Sequence, residues 1–300
     1  PRWEASWRGW WAAVNVVSID GVICPSDQAL VSVFDRAFLH GDGAFEVLRS
    51  YGGAPHALAA HLARLWASCA RLGFEPPIDS EQLQDELRAV LDVLGTEDAR
   101  VRISFSRAGS PEGGLAPAAT AAGCRVITAQ RLPARARPGE VPGISAVTLT
   151  DTGAVDQRLA PGTKSLDYLR NILALGHAAK VGAAEAFLMG PAGELLEGAS
   201  SNVFCFDGER LRTPSTRSGI LAGITRDTFL RLARSRGMSV EEGLIWPSEM
   251  YRCLEIFITS SVRELVPVIV LDGRPVGDGR PGPVQRALHP LAGRRVEDRD

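Results

Sequence analysis

Two stretches of the chain carry apolar residues every three to four positions. In residues 56–73, HALAAHLARLWASCARLG, Leu58, Leu62, Leu65 and Trp66 share one face, which predicts a helix stopped by Gly73. In residues 79–95, DSEQLQDELRAVLDVLG, the stripe is Leu83, Leu87, Val90, Leu91 and Leu94, with Asp79 or Ser80 as cap and Gly95 as end. Strand-like runs follow at RVRISFSR (100–107) and CRVITAQ (124–130). Next comes PARARPGEVPG (133–143), whose Pro, Arg and Gly content reads as an interdomain connection. Beyond it a second region begins at ISAVTLTD (144–151), followed by a helix from Leu166 to about Val181. Short strands then turn at GPAG (190–193), Asp207-Gly208 and Asp272-Gly273, with one amphipathic helix at TRDTFLRLARSRG (225–237) among them. Strands and helices are segregated rather than strictly alternating, which favours two α+β domains over a doubly wound sheet. The expected division is a small domain over 1–133, a linker over 134–140 and a larger domain over 141–300.

Composition narrows the class of protein. The chain has 300 residues, 45 % hydrophobic and 23 % charged, with a net charge of −2, values that suit a globular fold and give no reason to expect nucleic-acid or membrane binding. The longest apolar runs fall short of a membrane span, and no signal-peptide pattern opens the chain. Five cysteines (24, 69, 124, 205 and 253) are scattered without C-x-x-C spacing. That argues for a reducing compartment and against a zinc or disulfide framework, so the expected location is cytoplasmic and the expected metal set is none. Residues 1–13 form a Trp-rich extension in which Trp3, Trp7, Trp10 and Trp11 would line one helical stripe. This stripe fits either a docking helix for a neighbouring subunit or an extension that is packed on its own domain or poorly ordered. Residues 277–282, GDGRPG, match G-x-G-x-x-G literally, but Pro281 and the missing strand–helix context make them a surface turn.

Chemistry enters at Lys164. Of 33 basic side chains only Lys164 and Lys180 are lysines. An arginine stays protonated, whereas a lysine of lowered pKa attacks a carbonyl. Lys180, near a helix end, suits a favourable C-terminal charge and nothing more. In GILAGITRDTFLRLA (219–233), Gly223, Ile224 and Thr225 open a helix whose unpaired N–H groups suit a phosphate, or else Thr225 is a plain N-cap. Glu197 sits at a strand end beside Ser200, Ser201 and Asn202, where it either holds a cationic ring nitrogen or is an exposed turn carboxylate. Ser260 and Ser261 leave another strand end and present hydroxyls. An amine nucleophile, a phosphate-cradling helix start, a carboxylate and extra hydroxyls are together what pyridoxal phosphate requires.

Six motifs stand in order: VSVFDRAFLHGDGAFEVLRSYGG, HLARL, TKSLDYLRN, LLEGASSNVF, GILAGITR and SSVRELVPV. From about Val16 to about Gly282 the chain resembles the class IV, fold type IV pyridoxal-phosphate aminotransferases. These comprise branched-chain and D-amino-acid aminotransferases, (R)-selective amine transaminases and aminodeoxychorismate lyase. The resemblance implies a small N-terminal α/β domain, a larger C-terminal domain, pyridoxal 5'-phosphate in the cleft between them, and a homodimer or larger assembly. It implies that Lys164 forms the imine with the cofactor and then carries the proton between the substrate α-carbon and C4′. Glu197 would bond the pyridine nitrogen, and Arg64 would clamp the phosphate with Gly223, Ile224, Thr225 and Ser261. Leu221 would pack on the ring and Tyr168 would lie near the phenolic oxygen, with Ser201 and Ser260 also at the cofactor. Phe45, His40 and Val262 would line the substrate pocket. Ser110–Gly114 lacks the Arg-x-His carboxylate trap of D-amino-acid enzymes, and His40 replaces a tyrosine common in branched-chain enzymes. The expected reaction moves an amino group between an amino acid, hydrophobic or branched-chain, with (R)-amines as further donors, and a 2-oxo acid. The alternatives of the same fold are the lyase and a D-amino-acid aminotransferase.

Overall fold

The computed structural model describes residues 16–109, 114–116, 123–133, 141–150 and 161–288. The Trp-rich start, Ser110–Gly113 and the expected linker 134–140 lie outside them. Packing divides the chain into two compact units, Pro1–Ala134 with Thr163–Tyr168, and Arg135–Gly162 with Leu169–Asp300. Both contain helices and sheet, an α+β fold.

The first unit runs β1 (Val16–Ile19), β2 (Val22–Cys24), α1 (Arg36–His40), β3 (Gly43–Tyr51), β4 (Ala54–Pro55), α2 (Leu58–Leu72), α3 (Ser80–Leu94), β5 (Ala99–Ser106) and β6 (Arg125–Arg131). Its antiparallel sheet has the order β2-β1-β6-β5-β3-β4. Alternation along β5 sends Ala99, Val101, Ile103 and Phe105 into a core with Leu62 and Leu65 of α2 and Leu83, Leu87 and Leu91 of α3. The opposite face of β5 carries Arg100, Arg102 and Ser104. Both helices end as the sequence reading expects. Gly73 caps α2 at φ 75°, and Asp79 opens α3 by accepting from the Gln82 N–H at 2.9 Å.

Residues 163–168 are the unexpected member of this unit. The Leu166 N–H donates to the Gly43 carbonyl (2.9 Å) and the Phe45 N–H to the Lys164 carbonyl (3.0 Å), with Ala44 and Ser165 bridged antiparallel between them. The Lys164 segment therefore lengthens the sheet beside the start of β3 instead of belonging to the region over 141–300. For the same reason the helix expected from Leu166 starts later, since backbone paired with a strand cannot also enter a helical ladder. Gly43 permits this approach, because a Cβ there would stand 2.2 Å from the Phe105 carbonyl oxygen and 2.6 Å from Leu166 Cδ1. Gly43→Ala is expected to destabilise the protein by about 1–3 kcal/mol, read from urea unfolding.

The second unit comprises β7 (Ile144–Leu149), α4 (Leu169–Lys180), β8 (Glu185–Met189), β9 (Leu195–Gly198), β10 (Asn202–Phe206), β11 (Arg210–Pro214), α5 (Ile224–Ser235), β12 (Ser239–Gly243), α6 (Pro247–Met250), β13 (Glu255–Ser260), β14 (Glu264–Leu271), β15 (Arg274–Pro275) and α7 (Pro283–Leu288). Its mixed sheet has the order β12-β11-β10-β13-β14-β7-β8-β9, with β15 on β14. The three expected turns join antiparallel pairs: β8 to β9, β10 to β11 and β14 to β15. Residues 277–282 lie between β15 and α7, with Gly277 and Gly279 at positive φ. Helix α5 packs on the sheet through Phe229, whose ring meets Phe257, itself stacked on Phe204 with centroids 5.0 Å apart. That anchoring fixes where the first turn of α5 stands.

Candidate active site

In the first unit, Lys164 is held by its backbone. Its N–H donates to Ser68 Oγ at 3.3 Å and its carbonyl accepts from Phe45. The side chain then lies with Nζ 4.4 Å from the Phe45 ring centroid and 3.4 Å from the Tyr168 hydroxyl. The Phe45 and Tyr168 rings meet edge to face, centroids 5.1 Å apart. Thr163, the residue before, has a buried Oγ1 without a partner among the described residues. The same face carries Arg102, which sequence reasoning missed. Its Cζ stands 3.9 Å from the Phe45 centroid and its Nε donates to Ser104 Oγ. Burial, with the neighbouring Arg100 charge, lowers the Arg102 pKa to about 10. Neither arginine has a carboxylate partner among the described residues. His40 is exposed at the end of α1, while Gly41 beside it packs on Asp167 of the Lys164 segment.

Arg64 projects from α2 and is 11 % exposed. Its Nε and Nη2 donate to the two oxygens of Glu46, at 2.6 and 2.9 Å. Glu46 is fully buried, and its Oε2 also lies 2.8 Å from His61 Nδ1. Burial alone would raise the Glu46 pKa, but the hydrogen bonds from Arg64 and His61 and the Arg64 charge prevail and bring it down to about 2. The carboxylate is thus ionised and accepts only, so His61 Nδ1 carries the proton. Burial lowers the His61 pKa, which keeps the ring neutral. Glu46 and His61 were also missed, although a signal existed. Glu46 falls between Ala44 and Leu48 on the period-2 face that enters the core, where an unpaired charge is costly.

In the second unit, Glu197 at the end of β9 accepts from the Leu221 N–H at 3.1 Å, with Asn202 Nδ2 at 3.5 Å. Asn202 Nδ2 also donates to the Leu221 carbonyl at 3.0 Å. The loop before α5 is thereby tied to the carboxylate. At Gly223 a Cβ would stand 1.9 Å from Asn202 Oδ1, so only glycine fits this cradle. Gly223 is the N-cap of α5 and brings no side-chain capping bond. Thr225 lies inside the first turn, which removes the plain-cap reading. The ladder begins with the Asp227 N–H donating to the Gly223 carbonyl, so the N–H groups of Ile224, Thr225 and Arg226 precede it. Thr259 was missed by sequence reasoning. It is 1 % exposed, it pairs with Asn202 across β13 and β10, and its Oγ1 has no partner among the described residues. Ser260, Ser261 and Val262 are half-buried at the turn from β13 to β14. The Ser201 hydroxyl donates to Glu185 at 3.0 Å, so it supports the turn and has no second proton for a ligand.

These donor sets fit pyridoxal phosphate. The first unit offers an amine beside a phenol; the second offers a carboxylate fixed by a backbone N–H, a helix start without a capping side chain, and an orphaned buried hydroxyl in register with Asn202. Among the described residues no acidic, His and Cys cluster could hold a metal ion, and no helix is long and apolar enough to cross a membrane. The family model described as amino-transferase class IV matches residues 43–270. A Methanocaldococcus jannaschii protein provisionally assigned as a branched-chain-amino-acid aminotransferase is 34 % identical, over 91 % of this chain and 93 % of that protein. The D-alanine aminotransferase of Bacillus licheniformis is 31 % identical, over 90 % and 93 %. The solved T.th. branched-chain amino acid aminotransferase with pyridoxamine 5'-phosphate superposes with a TM-score of 0.86 at 26 % identity, covering 93 % of each chain. The chain belongs to the class IV aminotransferase family and is a pyridoxal-phosphate-dependent aminotransferase.

Proposed function

We propose that this enzyme moves amino groups between hydrophobic or branched-chain amino acids and 2-oxo acids, with (R)-amines as secondary donors. The observation that carries this reading is the Lys164 amine set against the Phe45 and Tyr168 rings, an apolar wall at the reacting position. When bound, pyridoxal phosphate supplies an aldehyde that takes up amines and a ring that withdraws electrons. Lys164 Nζ holds the cofactor and afterwards moves the proton at the substrate α-carbon, with the Tyr168 hydroxyl oriented toward it. Glu197, fixed by the Leu221 N–H, keeps a proton on the ring nitrogen, and Leu221 covers the ring. In the second unit the N–H groups of Ile224 and Thr225 and the Ser261 and Thr259 hydroxyls hold the phosphate, with Gly223 leaving room for it; in the first unit Arg64 is the cation that suits a phosphate. Ser260 supports Ser261. Phe45 and Val262 shape the side-chain pocket, with His40 at its edge, and Arg102 receives a substrate carboxylate.

The working assembly in this reading is a homodimer in the cytoplasm. Leu30, Phe34 and Phe38 in the first unit are 68–81 % exposed, and α4 in the second exposes Leu169, Ile172 and Leu173 on one face. Apolar patches of this kind mark interfaces, and a second copy of the chain supplies a matching surface. The five cysteines, all free thiols, suit a reducing compartment.

A panel of L-amino acids, D-alanine and (R)-amines against several 2-oxo acids tests the substrate assignment. Branched-chain and other hydrophobic donors are expected to exceed D-alanine in kcat/KM by about tenfold or more. D-alanine as the fastest donor, or repeated turnover of aminodeoxychorismate to pyruvate without an acceptor, overturns it.

A further inference from the structure

The turn between β13 and β14 has a support that the roles above leave unused. Glu185, the first residue of β8, is completely buried. Its Oε2 accepts from Ser200 Oγ at 3.1 Å, Ser201 Oγ at 3.0 Å and Arg263 Nη2 at 2.7 Å. Arg263 Nη2 also donates to Ser200 Oγ at 2.8 Å, closing a ring of bonds. One carboxylate thus ties together β8, the turn that follows Glu197 and the turn that carries Ser260, Ser261 and Val262.

That second turn is strained. Ser260 pairs with Glu264 across the hairpin, and Glu264 takes a φ of 58°, a left-handed value that a glutamate rarely adopts. Such a residue is strained and persists where its surroundings dictate it. The Arg263 N–H donates to Ser260 Oγ at 3.4 Å, which closes the turn from inside. The guanidinium then anchors it from outside, since Arg263 is 36 % exposed while its partner is 0 % exposed. Removing the arginine leaves a buried carboxylate without a countercharge and a strained loop without its outer anchor.

We infer that Glu185 and Arg263 are positioning residues, a buried carboxylate and a guanidinium that set the Ser260–Val262 turn so that Ser261 meets the cofactor phosphate. The inference rests on the phosphate role proposed for Ser261. Its consequence is selective. Losing the pair weakens the grip on the phosphate and leaves recognition of the pyridine ring, through Glu197 and Lys164, in place.

Full-chain protein stripped of cofactor is titrated with pyridoxal 5'-phosphate and with phosphate-free pyridoxal, followed by near-visible absorbance. Phosphorus NMR reports on the bound phosphate of each reloaded protein. In Arg263→Met the Kd for pyridoxal phosphate rises by about tenfold or more, an energy near 1.4 kcal/mol. The Kd for pyridoxal changes by less than about threefold, and the phosphorus signal shifts. Arg263→Lys, which keeps the charge, recovers part of the loss. A Glu185→Gln/Arg263→Met double variant removes both charges and leaves an amide oxygen to accept from Ser200 and Ser201, so it serves if the buried charge unfolds the single variant. Equal weakening of both ligands, or no change in either, overturns the inference. Absence of cofactor absorbance in the wild-type protein overturns the phosphate reading beneath it, a separate result.

Discussion

Lys164→Ala leaves a folded protein whose amino-transfer rate falls by at least about 10⁴-fold, roughly 5–6 kcal/mol of barrier. Added pyridoxal phosphate no longer gives the near-visible band of covalent attachment. Folding survives because the anchors at this position are backbone groups, the Lys164 N–H on Ser68 Oγ and its carbonyl on the Phe45 N–H, and alanine retains both. Activity does not survive because, in the proposed mechanism, one atom, Nζ, both holds the cofactor and moves the α-proton. Lys164→Arg separates charge from chemistry. It restores a cation near the Phe45 ring but no nucleophile, so it too is expected to be inactive. Circular dichroism with absorbance and single-turnover assays checks both variants, and retained turnover in either removes Lys164 from its role.

Glu46→Gln is expected to be the most damaging change outside the reacting atoms. The carboxylate receives both arms of the Arg64 fork and His61 Nδ1. An amide cannot accept bidentately, so Arg64 would lose its countercharge while 11 % exposed, a loss of about 3–5 kcal/mol in stability. If Arg64 holds the phosphate as proposed, cofactor affinity falls with it, because the guanidinium is no longer oriented. The pH dependence carries a signature. With the folded pKa of Glu46 lowered from 4.5 to about 2, its contribution of about 3 kcal/mol is present above pH 4.5 and lost as pH falls toward 2. His61 acts earlier. Its folded pKa lies below 6.5, so stability drops as pH falls below 6.5 and the unfolded chain takes up the proton. Melting curves from pH 2 to 8 should show both limbs in the wild-type protein, with the lower one absent from Glu46→Gln. An unchanged acid limb would count against the assignment.

The residues readable in the sequence were those whose environment is local. The α2 and α3 stripes, the Asp79 and Gly73 caps and the three hairpin turns depend on neighbours within a few positions, and each appears where the pattern put it. Lys164 stood out by rarity, and Glu197 and Ser261 through motif order. What stayed hidden depends on distant partners. Nothing near Glu185 announces Arg263, and nothing near Glu46 announces Arg64, because the first pair is brought together by strand order and the second by the packing of α2 on β3. The start of the helix expected at Leu166 went wrong for the same reason. Local propensity allows a helix there, and the pairing with Gly43, over a hundred residues earlier, overrides it. The placement of Thr225 inside the first turn of α5 was a near miss of two residues. Glycine serves as N-cap where a side chain would collide with Asn202.

The berth of residues 163–168 has a consequence for the order of synthesis. When residue 134 leaves the ribosome, the first unit has its strands and helices but still lacks the piece that carries the amine. The Gly43–Phe45 edge must wait while β7 and the stretch after it are made. Closing so long a loop adds little entropic cost over a shorter one, so the delay concerns timing more than stability. A nascent chain halted anywhere before residue 163 lacks the segment that carries Lys164, so the Gly43–Phe45 edge is made well before the piece that completes it.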